Sequence, residues 1–180
     1  MKAEKQLKIR RLVVTDLPRI QKLICRTIDK CYKGRLFDYV VAYLKRFHSQ
    51  ENILAVAEKG YTVVVERDSK IVATGSLIEG VILRVYVDPN CQKQGIGKMI
   101  MKILEKRALQ EGYDEVILRA TEISWQYYQL LGYTIVEKNY VEVEKDSRLD
   151  YYKMLKRLGE RSVPALNKGY ELKEDRWIII

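Results

Sequence analysis

Val85-Tyr86-Val87-Asp88-Pro89-Asn90-Cys91-Gln92-Lys93-Gln94-Gly95-Ile96-Gly97-Lys98 is the stretch whose reading decides the fold. The valine-rich opening reads as a strand, and Asp88-Pro89 stops it, because proline has no N–H to give to a ladder. A short polar loop with two glycines follows, and then the chain opens a helix. Strand, backbone-rich turn and helix N-terminus in that order aim several free N–H groups at one place, with the positive end of a helix dipole behind them. A junction of this kind suits phosphate, so the question is which phosphate-bearing molecule it holds.

Three glycine-loop patterns compete. A P-loop requires G-x-x-x-x-G-K-[ST]. Counting back from Gly97-Lys98 puts Gln92 where the first glycine belongs, and Met99 stands where Ser or Thr should follow. A dinucleotide fingerprint requires G-x-G-x-x-G or Ala. Gly95 and Gly97 fit it, Ile100 does not, and Asp88-Pro89-Asn90 sets the loop too far beyond the strand for its tight turn. The third pattern, [QR]-x-x-G-x-[GA], is met in full by Gln92-Lys93-Gln94-Gly95-Ile96-Gly97.

Outward from this loop, the chain has 180 residues, 47% of them hydrophobic, which is enough for one domain with a substantial core. No apolar run approaches the roughly 20 residues that span a bilayer, and Met1 to Lys5 lacks a signal-peptide core, so a soluble cytoplasmic protein without membrane contact is expected. Cys25, Cys31 and Cys91 have no metal-type spacing, and His48 is the single histidine, so no metal site is expected. The formal charge is +9, yet Lys and Arg are spread without a run of five. A solvated basic surface that steers an anionic ligand is the simpler reading, with nucleic acid an unfavoured one.

The periodicity predicts a strand near 8–12 and a helix capped by Thr15 or Asp16 with Pro18 in its first turn. A second helix follows around 36–47, and a third is capped by Ser49 and ended by Gly60. The period then changes to two, with strands over 61–66, 71–77 and 81–87 joined by tight turns. A strong helix over 94–110 ends at Gly112. A strand over 114–120, a short helix over 124–131 and two closing strands over 133–143 and 149–155 complete an α/β domain with a mixed sheet.

At this point the residues carry a resemblance. Gln92 to Gly97, with the Val85-Tyr86-Val87-Asp88-Pro89 lead-in, resembles the acetyl-CoA loop of the GNAT superfamily of N-acetyltransferases. Tyr127-Tyr128-Gln129-Leu130-Leu131-Gly132-Tyr133 is similar to that family's second motif, an aromatic-Tyr-x-x-Leu-Gly-aromatic helix end. The opening Ile9 to Ile24, with Thr15-Asp16-Leu17-Pro18, resembles its first strand and helix. The likeness runs from about Leu7 to Leu158. It implies an α/β fold with a mixed, mostly antiparallel sheet flanked by helices, with a splayed central strand pair. It also implies an N-acetyltransferase domain over 1–158 and a C-terminal extension over 159–180, docked on the domain or at a homodimer interface.

The resemblance implies acetyl-CoA as co-substrate and an amine as acceptor. Backbone N–H groups of Gln92, Lys93, Gln94, Gly95, Ile96, Gly97 and Lys98 would bind the pyrophosphate, and Gly95 and Gly97 allow close approach. Backbone groups of Val85, Tyr86 and Val87 on the splayed strand would hold the pantetheine much as an added strand pairs, with a Val85 contact as the oxyanion donor. Tyr128 matches the general acid that protonates the departing thiolate, while Tyr127 is expected to face elsewhere, into the core. Two positions depart from the pattern. Thr121 stands where an Asn often binds the pantetheine, and Val81-Ile82-Leu83-Arg84-Val85 carries no basic carboxylate. Glu79 and Glu122 are substitutes for that base, each also readable as a surface acid, and a water chain is another. His48 reads first as a helix C-terminal histidine favoured by the dipole. Tyr32, Phe37, Tyr39 and Tyr43, with Arg84 toward the acceptor side, are candidates for an acceptor pocket or for core. A non-catalytic acyl-CoA sensor and a ribosome- or nucleic-acid-associated protein are the alternative functions.

Overall fold

The glycine-loop strand lies in the middle of a seven-stranded sheet. The computed structural model describes residues 6–144 and 147–159. Its elements are β1 (Lys8–Arg11), α1 (Leu17–Tyr32), α2 (Asp38–Phe47), α3 (Gln50–Lys59), β2 (Tyr61–Arg67), β3 (Lys70–Ile78), β4 (Val81–Val87), α4 (Ile96–Glu111), β5 (Glu115–Thr121), α5 (Trp125–Leu130), β6 (Thr134–Glu144) and β7 (Ser147–Arg157). The sheet order is β1-β2-β3-β4-β5-β7-β6, and β4–β5 is its parallel pair. The mostly antiparallel mixed sheet expected from the sequence is therefore present. Apart from Gly159, the expected extension over 159–180 lies outside the described residues.

Local chemistry sets the boundaries. Pro18 sits in the first turn of α1, where its missing N–H costs nothing. The Ser49 hydroxyl accepts from the Asn52 N–H at 3.3 Å and starts α3. Gly112, at φ +97°, closes α4 by donating to the carbonyls of Ala108 and Leu109. The β2–β3 and β3–β4 hairpins turn on two residues each, Asp68-Ser69 and Glu79-Gly80, all with positive φ as the primed turns require. One expected cap is corrected. Asp16 stands at the N-cap of α1, but its carboxylate turns back instead, taking both guanidinium nitrogens of Arg10 at 2.6 and 2.8 Å and the Val13 N–H at 3.0 Å. A charged, bidentate partner on β1 is a stronger donor than a single helix amide.

Two apolar layers cover the sheet. Leu17, Ile20, Ile24 and Ile28 of α1 and Val40 and Leu44 of α2 pack on one face with Val64, Tyr86, Leu149 and Tyr151. Ile96, Ile100, Met101, Leu104 and Ala108 of α4 pack on the other with Val63, Val65, Leu118 and Tyr128.

Two irregularities at the centre position the site. Leu83 pairs with Ser76 and Tyr86 with Thr74, so Arg84 and Val85 together oppose Gly75 alone, a β-bulge with Arg84 at φ +55°. A Cβ on Gly75 would lie 2.6 Å from Ile100 Cγ2 and 3.0 Å from Leu104 Cδ1, so glycine is what lets α4 lie flat over the bulge. On its other side β4 shares a single ladder pair with β5, Val81 with Ile117. From there toward the glycine loop the two strands diverge.

Candidate functional site

The loop from Asp88 to Gly95 is held open by its own side chains. The Asp88 carboxylate accepts from the Asn90 N–H at 2.9 Å, the Gln92 amide donates to the Val87 carbonyl at 3.1 Å, and Arg67 donates to Gln94 Oε1 at 2.9 Å. Lys93 (φ +59°) and Gly95 (φ +81°) make the reversal into α4. Gly95 is the N-cap and brings no side chain, so the helix begins without a side-chain cap. Met99 donates to the Gly95 carbonyl, leaving the first-turn N–H groups of Ile96, Gly97 and Lys98 without an intrahelical acceptor. Ile96 is buried and anchors the turn in the core, while Lys93 and Lys98 project into solvent. A helix start with free N–H groups and no side-chain cap is the geometry that suits an anion.

One of the two tyrosines of α5 is placed otherwise than expected. Tyr128 is 2% exposed and belongs to the core cluster under α4. Tyr127 is 38% exposed, and its hydroxyl lies 2.6 Å from where a Gly97 Cβ would be, directly over the first turn of α4. Tyr127 is thus the tyrosine at that turn, a placement the motif alone misassigned to the core. The signal was available in Gly97, whose lack of a side chain leaves room for a phenol as well as for a ligand. Burial pushes the Tyr127 phenol up to about 12 and Tyr128 well above the ordinary tyrosine value, so both keep their protons near neutrality.

Around Tyr128 the structure collects further phenols. Tyr32 is buried, hydrogen-bonds Thr121, and is pushed up to about 12 by burial. Tyr86 is also buried, its phenol raised first by burial and then by the proximity of Tyr32 and Tyr128. Thr121, at the end of β5, shares its hydroxyl with Ser124 at 3.2 Å. Thus Tyr32, Tyr86, Thr121 and Tyr128 meet, while Phe37 stacks outward on Tyr39 at 5.4 Å and is 71% exposed. The expected aromatic cluster of Tyr32, Phe37, Tyr39 and Tyr43 is not one pocket.

Beside the phenols lies an arrangement the sequence did not reveal. His48, fully buried, receives the Arg84 Nε–H on Nδ1 at 3.3 Å and lies 2.9 Å from the Tyr86 hydroxyl through Nε2. A guanidinium only donates, so Nδ1 is the acceptor nitrogen and Nε2 carries the proton, which it donates to Tyr86. Burial and the Arg84 charge hold His48 well below its ordinary value, so it is neutral. The dipole-favoured, charged histidine expected at the end of α2 is corrected: the ring stands at that position, but burial beside a cation overrides the dipole. Arg84 is 2% exposed, with its Nη1 buried and without a hydrogen-bond partner. Phe47 lies under the guanidinium at 5.5 Å.

The remaining candidates are not brought to this place. Glu79 is exposed in the β3–β4 turn, at the end of β4 opposite the glycine loop. Val85 lies six positions further along the chain, roughly 20 Å at the usual strand rise, so Glu79 is not brought to the bulge to act as a base. Glu122 faces solvent and lies 3.7 Å from Lys138. Cys91 is buried against Arg67, with no disulfide. Among the described residues no cluster of His, Cys, Asp and Glu could hold a metal, and no helix is long and apolar enough to cross a membrane.

Comparison with known proteins follows the same geometry. The model of the acetyltransferase (GNAT) domain matches residues 31–154. No curated protein matches the sequence. Among solved structures, a GCN5-related N-acetyltransferase from Rhodopseudomonas palustris superposes with a TM-score of 0.77 at 17% identity, over 83% of this chain and 94% of that one. PaiA N-acetyltransferase from Thermoplasma acidophilum, solved with coenzyme A, gives 0.69 at 19%, over 84% and 99%. YncA from Salmonella typhimurium, solved with acetyl-CoA, gives 0.60 at 18%, over 89% and 99%.

Proposed function

Because this chain belongs to the GNAT acetyltransferase family, an acetyl-CoA-dependent group, we propose that it moves an acetyl group from acetyl-CoA to an amine by direct attack on the thioester. The observation that carries this reading is the uncapped first turn of α4 opening onto the edge of β4, which leaves β5 after a single pair. Pyrophosphate satisfies the N–H groups of Ile96, Gly97 and Lys98, with Gln92, Lys93, Gln94 and Gly95 forming the loop around it. The Tyr127 hydroxyl, over Gly97, donates to the same phosphates. The pantetheine arm enters the gap between β4 and β5 and pairs with backbone groups of Val85, Tyr86 and Val87.

Chemistry then falls to groups around the bulge. An N–H at Val85 polarises the thioester carbonyl, taking up charge as the tetrahedral centre forms. The amine loses its proton to water, because His48 has no free lone pair and Glu79 is remote. The leaving thiolate takes a proton from Tyr128, which burial keeps protonated. Thr121 packs beside this phenol through Tyr32 and orders the pocket wall.

Thiol release from acetyl-CoA across a panel of small amines, amino acids and peptides tests the reading. Tyr128→Phe is expected to lower kcat by about 100-fold with the dissociation constant for CoA unchanged. Tight CoA binding with no turnover on any amine would replace the enzyme by an acyl-CoA sensor. An unaltered kcat in Tyr128→Phe would remove that residue from the acid role.

A further inference from the structure

Arg84 combines two unfavourable features at one residue. Its backbone sits at φ +55°, a conformation that glycine or asparagine adopts more readily than arginine. Its side chain is 2% exposed, and among the described residues it forms no ion pair with a carboxylate. Arg10, Arg26 and Arg119 are arranged differently, while Arg67 shares one feature, a buried Nε without a partner, but gives its Nη1 to Gln94. Arg10, 24% exposed, holds two carboxylates, Arg26 pairs with Asp88, and Arg119 lies over Tyr151 with further interactions of its own. Arg84 has a neutral imidazole, a phenyl ring and a buried Nη1 without an acceptor. Burial pulls its pKa only down to about 10, so the charge persists near neutrality. A cation held out of water without a counter-charge is unfavourable until an anion joins it.

We propose that the amine acceptor carries a carboxylate, and that Arg84 binds it. The inference rests on the acetyl-transfer reading above and names the substrate class of that same site. Arg84 precedes Val85 on the bulge, so its charge belongs to the strand segment where the thioester carbonyl is polarised. The guanidinium is already oriented for an anion. His48 holds Nε, the Phe47 ring lies 5.5 Å from the guanidinium carbon, and the unpartnered Nη1 is a donor left for the ligand. A carboxylate oxygen accepts charge-assisted hydrogen bonds from that nitrogen. One buried cation also balances one monoanion, whereas a phosphoryl dianion would bury excess negative charge. Because Nη1 is covered, the ligand reaches it only as neighbouring side chains shift. The acceptor class is therefore an amino carboxylate, free or at the end of a longer molecule, in preference to a polyamine.

The test uses the full chain with acetyl-CoA and matched pairs of acceptors, α-, β- and γ-amino acids, each beside its primary amide. The acid of at least one pair is expected to be acetylated about 10- to 100-fold more efficiently than its amide, the range for a charge-assisted contact. Arg84→Gln should bring that ratio toward one by raising KM for the acid while leaving CoA affinity intact. Arg84→Lys, which keeps the charge without the guanidinium geometry, should restore part of it. Amides acetylated as well as acids by the unsubstituted protein would overturn the proposal while leaving acetyl transfer standing, whatever the variants do. If no pair is turned over, acetyl transfer to these amines fails, and equilibrium binding of the same pairs to the CoA-saturated chain decides separately. Selective, Arg84-dependent binding of the acids upholds the carboxylate site, and its absence overturns it.

Discussion

The buried imidazole gives the clearest consequence at the scale of one residue. His48 is the chain's single histidine, and the groups facing it are Arg84, Tyr86 and Phe47. Its folded-state pKa lies well below the ordinary 6.5. As pH falls through 6.5 the unfolded chain takes up a proton that the folded chain refuses, so stability declines toward acid, by at most about 1.4 kcal/mol per pH unit. The carboxyls of Asp16 and Glu66 are held below the usual carboxylate range, first by Arg10. Denaturant midpoints between about pH 5 and 7 should therefore slope with pH, and His48→Gln should flatten the slope. A slope unchanged in that variant would mean that His48 is protonated in the folded state. Residues of this kind were hard to read in advance. A histidine at a helix end is scored by its neighbours in sequence, whereas what sets its charge is burial first and then Arg84, 36 positions away. The core placement expected for Tyr127 failed for a related reason: adjacent residues on a short helix differ in facing, and no periodicity over six residues fixes which one is covered.

At the scale of elements, the order of helices and strands was legible because each boundary has local chemistry: Ser49 and Gly112 at helix ends, Gly80 and Gly132 at turns, period-two valines in β2 and β4. The β6–β7 hairpin ran longer than expected, since a ladder of main-chain bonds continues through polar residues such as Glu142 and Arg148 that carry no apolar alternation. The bulge left no mark in the strand itself. Its trace is in the neighbouring strand, where Gly75 interrupts an otherwise side-chain-rich run and admits α4. Gly75→Ala should destabilise the fold by about 1–3 kcal/mol, as overpacking against a β-branched neighbour does, read as a lower denaturant midpoint with unchanged slope. A neutral result would mean that Ile100 yields without strain. The splay of β4 from β5 came only through the family resemblance; hydropathy does not distinguish a strand whose edge is paired from one whose edge is vacant.

For the molecule as a whole, the +9 charge is less available than its size suggests. A groove of about 600 Å³ between α1 and the 67–70 turn is lined by Arg19, Lys22, Arg26, Arg67 and Lys70. Asp16 and Glu66 lie within ion-pair distance of Arg19, and Asp88 pairs with Arg26, so part of that field is cancelled on the spot. Larger in effect is the single ladder pair between Val81 and Ile117. It leaves the sheet with a seam: β1 to β4 form one hydrogen-bonded half, β5 to β7 the other, and α4 lies across both. Halves joined this way are expected to open as separate cooperative units. In native-state hydrogen exchange of the CoA-free chain, amides of β5 and β7 should open at a different free energy from those of β2 and β3. Saturating CoA, bound to both sides, should draw the two sets together. Uniform protection without CoA would mean that α4 alone welds the halves. If the sets do converge, the nucleotide thiol is more than a donor of acetyl groups: while bound it serves as the missing rung of the ladder, and each turnover takes that rung out and puts it back.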